Sequence, residues 1–384
     1  MDETQKKKIC FIATLELSVK VFLTEHMRRM QKKFDLSVAV STDNLFFLEP
    51  YGVDVRIIPI KIERDVDLMS DVKSLFYLYR LFKRERFSII HSIMPKSGLL
   101  SMVAGLLAMV PIRVHTFTGQ VWKNSTGLRR FILKTMDRIL AMCATRVLVD
   151  SHSQREFLIA EGVVSRKKSF VIAHGSICGV DIERFRFNAE ARGAIREEYG
   201  VKPCDIVFCY LGRMKRDKGV LDLARAFSVL CGKYQSGHLL VVGPDEEGID
   251  DEIKKICAQH AGKVHTFGYT KEPEKYMSAA DVFCLPSYRE GFGLVIAEAG
   301  AVGIPSIGSK IYGIVDIVED GVTGYLFEPA AYFNLMQKMS KFMEDPSLIR
   351  TMGKKARLNV LEKYTKEKVV SAMASFYEEL EKSL

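Results

Sequence analysis

Along the first 173 residues, short apolar runs alternate with longer amphipathic stretches. The runs 8–14, 36–41, 55–60, 88–92, 111–116, 145–150 and 169–173 have the length and β-branched content of strands. Helix-length stretches near 19–33, 68–86, 97–109, 127–143 and 151–160 separate several of them. A polar, irregular segment at 175–203 contains Gly175, Gly179, Gly200 and Pro203 and predicts an interdomain connection. The alternation then resumes, with strands at 205–211, 238–242, 263–267, 281–285 and 304–307 and helices between them. The chain ends in helical segments near 330–343, 346–361 and 365–382. Such alternation means parallel sheets covered by helices on both faces. The pattern predicts an α/β protein of two Rossmann-like domains facing a cleft, residues 1–180 and 181–363. The last stretch, 364–384, is expected to return to the first domain.

Composition adds little to that picture, and charge adds more. The 384 residues are 48% hydrophobic and 27% charged, a globular balance. No segment reaches the roughly 18 to 20 apolar residues of a spanning helix. Lys6, Lys7 and Lys8 precede an apolar run, but Glu16 and Lys20 cut it short, so a first strand is expected rather than a leader. Eight scattered cysteines without a Cys-x-x-Cys pair point to reduced thiols in a cytoplasmic protein. Residues 1–180 hold 28 Lys+Arg against 17 Asp+Glu, and the remainder 28 against 30, so 11 − 2 gives the net +9. An anionic partner for the first half follows: a lipid surface, a diphosphate-bearing acceptor or nucleic acid. No basic helix with interleaved aromatics supports nucleic acid.

The chemistry gathers at 281–302. An apolar run ends at Pro286, and Gly291 and Gly293 stand where a helix should begin. A strand, a glycine loop and a helix N-terminus attract phosphate. Glu290 and Glu298 bracket the loop, and Glu298 is the only charge between Gly291 and Ser309. On such an apolar helix it faces solvent or is met by ligand hydroxyls. Eight residues of helix would rise about 12 Å, the span from a sugar across a diphosphate to a ribose. Earlier in the chain, Arg213 and Lys218 follow Gly212 at a strand end, as a diphosphate clamp or simply a basic loop.

His115 is read as ending the strand 111–114, with Gly119 and Gln120 just beyond, where ligands of open α/β sheets sit. A structural histidine is the alternative. The first strand-to-helix turn, Thr14 to Lys20, has no glycine, leaving Ser18 to serve there. Asp65 and Asp67 form an Asp-x-Asp pair, read as helix capping rather than metal binding. Ser97 to Ile112 carries no charge and reads as a buried helix; with Lys83, Arg84, Arg86, Lys123, Arg129, Arg130 and Lys134 nearby, docking on anionic lipid is the alternative.

Glu290 and Glu298, seven residues between them and Gly-Phe-Gly after the first, resemble the signature of the retaining family 4 glycosyltransferases, which have the GT-B fold. Gly212-Arg213 with Lys218-Gly219 is similar to the family's second element, and comes in the family's order. Cys178-Gly179-Val180-Asp181 resembles its linker-edge turn. The resemblance implies that Glu290 contacts the donor sugar, that the backbone of Gly291, Phe292, Gly293 and Leu294 holds the diphosphate, and that Glu298 binds the ribose diol. It gives Arg213 and Lys218 the leaving phosphates and His115 a place beside the sugar. His115-Thr-Phe-Thr-Gly-Gln and Val149-Asp150-Ser151 look most like bacterial enzymes extending polyprenyl-diphosphate-linked saccharides. The implied activity is metal-independent, cofactor-free transfer from a UDP-sugar, an N-acetylated hexose by expectation, at the inner face of the cytoplasmic membrane. A same-fold epimerase or hydrolase, and an inactive sugar-nucleotide sensor, are the other readings.

Overall fold

The strand β1 (Lys8–Ala13) is buried over almost its whole length and has a parallel neighbour on each side. The computed structural model describes residues 6–63 and 67–384. In the first unit β1 is joined by β2 (Asp35–Val40), β3 (Arg56–Pro59), β4 (Ile89–Ile93), β5 (Ile112–Phe117), β6 (Arg146–Val149) and β7 (Ser169–Phe170). Their order is β3-β2-β1-β4-β5-β6-β7, so the direction of crossover reverses between β1 and β4. The helices are α1 (Glu16–Phe22), α2 (Thr24–Met30), α3 (Leu68–Glu85), α4 (Pro95–Leu107), α5 (Gly127–Cys143) and α6 (His152–Ala160).

The second unit runs from Val180 to Lys366. Its helices are α7 (Ala189–Glu198), α8 (Val220–Lys233), α9 (Ile249–Ile256), α10 (Pro273–Ala279), α11 (Leu294–Val302), α12 (Ile314–Ile317), α13 (Tyr332–Glu344) and α14 (Ser347–Lys363). Its strands are β8 (Ile206–Leu211), β9 (Gly237–Val242), β10 (Val264–Phe267), β11 (Val282–Leu285), β12 (Ser306–Ser309) and β13 (Gly324–Phe327), in the order β10-β9-β8-β11-β12-β13. Here the crossover direction reverses between β8 and β11. A parallel sheet leaves a crevice at such a switch point, outside the carboxyl ends of the two strands.

The last helix is α15 (Lys366–Lys382), and from Glu367 to Leu384 the chain belongs to the first unit. Tyr377 explains why: it is fully buried, its hydroxyl is hydrogen-bonded to His91 Nδ1, and its ring lies 6.0 Å from that of Phe11.

Three local readings need correction. The stretch 19–33 is two helices meeting at Leu23, where the Thr24 hydroxyl donates back to the Lys20 carbonyl at 2.8 Å and bends the chain. The segment 175–203 is not wholly irregular, because α7 lies within it. Asn188 caps that helix on Ala191 N–H, and Arg192 and Arg196 hold it to Asp281 at 2.7 and 3.0 Å. The strand β13 was absent from the pattern, since four residues opened by glycine and preceded by a turn carry too short an apolar run. Gly179 takes φ 68°, the turn expected of it.

Candidate active site

In the second unit two loops meet at the switch point. One follows β8 and the other follows β11, and they are stitched at three levels. Tyr288 N–H donates to the Asp217 carbonyl at 2.9 Å, Arg289 Nη2 lies 3.1 Å from Asp217 Oδ2, and Lys218 Nζ lies 2.6 Å from Glu290 Oε1. Gly219 makes the approach possible: at φ 67°, a Cβ there would stand 2.1 Å from the Pro286 carbonyl oxygen. Lys218 and Glu290 are each 17% exposed, enough to face a ligand yet shielded from full solvent screening.

Arg213 sits on the same loop, 43% exposed, with Nη1 3.3 Å from Glu246 Oε2. Lys215 shares that carboxylate at 3.0 Å. The structure therefore brings Lys218 to Glu290 directly, whereas Arg213 is held by a different acid.

Past Glu290 the chain runs through Gly291 and Phe292 to Gly293, which caps α11. Ile296 N–H turns back onto the Gly293 carbonyl at 2.8 Å, while the amides of Leu294 and Val295 have no backbone acceptor among the described residues. Of the stretch between the two glutamates, helix covers only Leu294 to Glu298, a rise of about 6 Å rather than 12 Å. The remaining separation between the two glutamates is loop. Glu298 is part-buried one turn into α11, and burial pushes its carboxyl up to about 8, with Arg184 opposing and Glu274 reinforcing the shift. Among the described residues no hydrogen bond or ion pair reaches that carboxyl.

The first unit presents a different arrangement. β5 continues two residues past His115, to Phe117, so His115 lies under the strand end rather than at it. The histidine is 1% exposed, and burial lowers its pKa to about 3, keeping the ring neutral. Its Nδ1 is hydrogen-bonded to the Ser92 hydroxyl at 2.8 Å, and its Nε2 has no partner among the described residues. Helix α4 passes so near that a Cβ on Gly98 would stand 2.4 Å from the His115 ring. Gln120 is buried and accepts from Gln154 Nε2 at 3.0 Å, which ties the loop after β5 to α6. Gly119 is part-exposed beside it.

Ser18 is buried in the first turn of α1, its N–H on the Leu15 carbonyl at 3.1 Å. Leu15 caps that helix from φ −130°, ψ 141°, extended backbone that any residue adopts, so the turn needs no glycine. Asp67 caps α3 by accepting from Met69 and Ser70 N–H, while Asp65 lies outside the described residues.

Two further features stand outside the residues the sequence assigned to the site. Met94 follows β4 at the first unit's switch point with φ 76° and ψ 145°, a strained setting for a side-chain-bearing residue. Asp150, just past β6, is buried with one carboxylate oxygen unpartnered among the described residues, and burial raises it to about 7. Its run Val149-Asp150-Ser151 carried a resemblance, but nothing local says that the acid is buried.

Comparison with known proteins follows the same division. Residues 191–359 match the model of the glycosyl transferases group 1, and residues 19–175 that of the glycosyl transferase 4-like domain. The capsular polysaccharide biosynthesis glycosyltransferase CapM of Staphylococcus aureus is 29% identical over 97% of both chains. A UDP-Gal:alpha-D-GlcNAc-diphosphoundecaprenol alpha-1,3-galactosyltransferase of Escherichia coli is 30% identical over 80% of this chain and 77% of its own. Among solved structures, Anabaena HepE in complex with UDP and glucose superposes with a TM-score of 0.78 at 18% identity, covering 97% of this chain and 100% of that one. Two Rossmann-like α/β domains of the GT-B type, the fold class read from the sequence, are what the strand orders and this likeness show.

Proposed function

The chain belongs to the group 1 glycosyltransferases, and from that membership we propose that it moves a hexosyl group from a UDP-sugar to a saccharide carried on a polyprenyl diphosphate. The setting proposed is capsule or O-antigen assembly at the inner face of the cytoplasmic membrane. A relative named for capsule synthesis and another named for a diphosphoundecaprenol acceptor support it. The observation that carries the donor half is the Lys218–Glu290 pair at the switch point of the second sheet, with Glu290 on the loop that leads into α11.

In this reading the leaving diphosphate lies against Lys218, Arg213 and the amides that open α11. Fixed cations and amide dipoles stabilise the charge that develops as the sugar C1–oxygen bond breaks. The acceptor hydroxyl attacks C1 on the face that the phosphate leaves, and its proton passes to the departing phosphate oxygen, so configuration is retained. Glu290 orients the sugar through its hydroxyls, held in place by Lys218, and Glu298 meets the ribose diol. His115 supports the loop from beneath the strand end, with Gln120, Gly119 and Ser18 at the edges of the first unit. The positive charge supplied by Lys218 and Arg213 is what supports transfer without a metal ion, and full rate in EDTA is the expected result.

The test is UDP release from a UDP-sugar with and without a polyprenyl-diphosphate saccharide. Release that depends on the acceptor, with an α-linked product from an α-linked donor, is expected. Equal release without acceptor would instead make the protein a hydrolase, and an inverted product would remove the same-face mechanism.

A further inference from the structure

We infer that the outer face of α3 and α5 in the first unit is a docking surface for an anionic lipid bilayer, with α5 lying in the plane of the membrane. Helix α5 is apolar on two opposite sides. Leu133, Leu140 and Ala141 pack into the core, while Leu128 (73%), Phe131 (64%), Ile132 and Met142 (73%) form an exposed stripe at helical spacing on the other side. A helix apolar on both sides wants an apolar environment on both, and the fold supplies only one.

Helix α4 packs between α3 and α5, so the charge-free stretch is largely interior and its two neighbours form the outer layer. On α3, Leu68 (76%), Val72 (65%) and Phe76 (55%) are exposed in the same manner.

Charge selects the occupant. The only acid on α5, Asp137, is buried and accepts from Trp122 Nε1 at 2.7 Å, and Glu161, which lies against the helix, is held by Arg130 at 2.9 Å and by Lys134, so neither acid is left to repel an anionic surface. Arg129 on α5 and Lys73 and Lys83 on α3 are exposed, and no acid partners them among the described residues. On α3 the two acids are already neutralised, Asp71 by Lys96 at 2.7 Å and Glu85 by Arg56 at 2.9 Å. A second copy of the chain would bring like-charged borders together, which costs affinity. Anionic headgroups over an acyl layer fit both the apolar stripe and its rim. No helix among the described residues is long and apolar enough to cross a membrane, so attachment is to one surface.

This surface rests on the proposed function only in that a lipid-borne acceptor gives it a purpose, so the experiment uses vesicles free of acceptor. The full chain is sedimented with vesicles of phosphatidylcholine alone and of phosphatidylcholine mixed with phosphatidylglycerol, and transfer to a detergent-solubilised acceptor is assayed in parallel. Wild type should bind the anionic vesicles and not the neutral ones. The double change Phe131→Ser with Ile132→Ser should lower partition at least tenfold, and Arg129→Ala and Lys83→Ala about fivefold each. Melting temperature and transfer in detergent should be unchanged, and Lys254→Ala in the second unit should bind as wild type. No binding to anionic vesicles, undiminished binding by the double variant, or loss of a dimer in that variant would overturn the inference. Docking that fails while detergent transfer persists sinks this surface alone; transfer that fails while docking persists sinks only the proposed reaction.

Discussion

Lys218 and Glu290, 72 positions apart, meet at 2.6 Å across the switch point of the second sheet. Each was a donor-site candidate on separate grounds, and the fold makes them one unit. An ion pair only 17% exposed on each side orients both groups, and it leaves an uncompensated charge if either is removed. Lys218→Ala and Glu290→Gln should each lower kcat about a hundredfold or more. The double variant should be scarcely worse than either single one, as groups acting together behave. Near-wild-type rates in both single variants would remove the pair from the mechanism.

Glu298 gives a pH signature. An acid whose folded pKa stands near 8, above its unfolded value, binds more protons in the folded chain. It therefore subtracts stability as pH climbs from the ordinary carboxylate range towards about 8. Glu298→Gln abolishes that loss, so thermal scans should show the variant gaining on wild type between about pH 5 and 8. It should also raise the donor KM. A melting difference that stays flat with pH would contradict the assignment of burial as the cause.

Packing over His115 can be checked by a compensating pair. Gly98→Ala drives a methyl to within 2.4 Å of the ring, and overpacking of this kind costs about 1–3 kcal/mol. Emptying the other side with His115→Ala should return part of that loss, so the double variant should melt above the sum of the two singles. Strict additivity would place the clash elsewhere. Because the imidazole is held neutral, with its pKa near 3, no histidine limb from His115 is expected in the rate profile above about pH 5.

The terminal helix anchors the first unit through Tyr377. Tyr377→Phe removes the hydroxyl partner of a buried His91 and should destabilise by about 1–3 kcal/mol in denaturant titration. An unchanged midpoint would mean that the bond contributes nothing.

Much of this was legible in the sequence wherever a single periodicity ruled. Buried parallel strands such as β1 and β8 are continuous apolar runs, and the glycine loop before α11 announces itself. Long-range pairing was not legible: nothing local says that Lys218 reaches Glu290 or that Tyr377 reaches His91. His115 was placed at a strand end because the apolar run before it stopped, yet hydrogen bonding carries β5 on to Phe117 through polar threonine. The uncharged Ser97–Ile112 stretch reads as a buried helix, with lipid docking as the alternative, and α4 is indeed largely covered by its neighbours, as an uncharged helix requires. The exposed stripe lies instead on α5, where the same sequence also satisfies the core and periodicity alone cannot say which side is uncovered.

The central claim is that the paired loops after β8 and β11 hold the donor's diphosphate, and calorimetric titration of UDP into the full chain tests it most directly. Wild type should bind one equivalent, and Lys218→Ala should weaken that binding at least tenfold while still unfolding in one cooperative transition in the absence of nucleotide. Equal UDP affinity in the two proteins would contradict it.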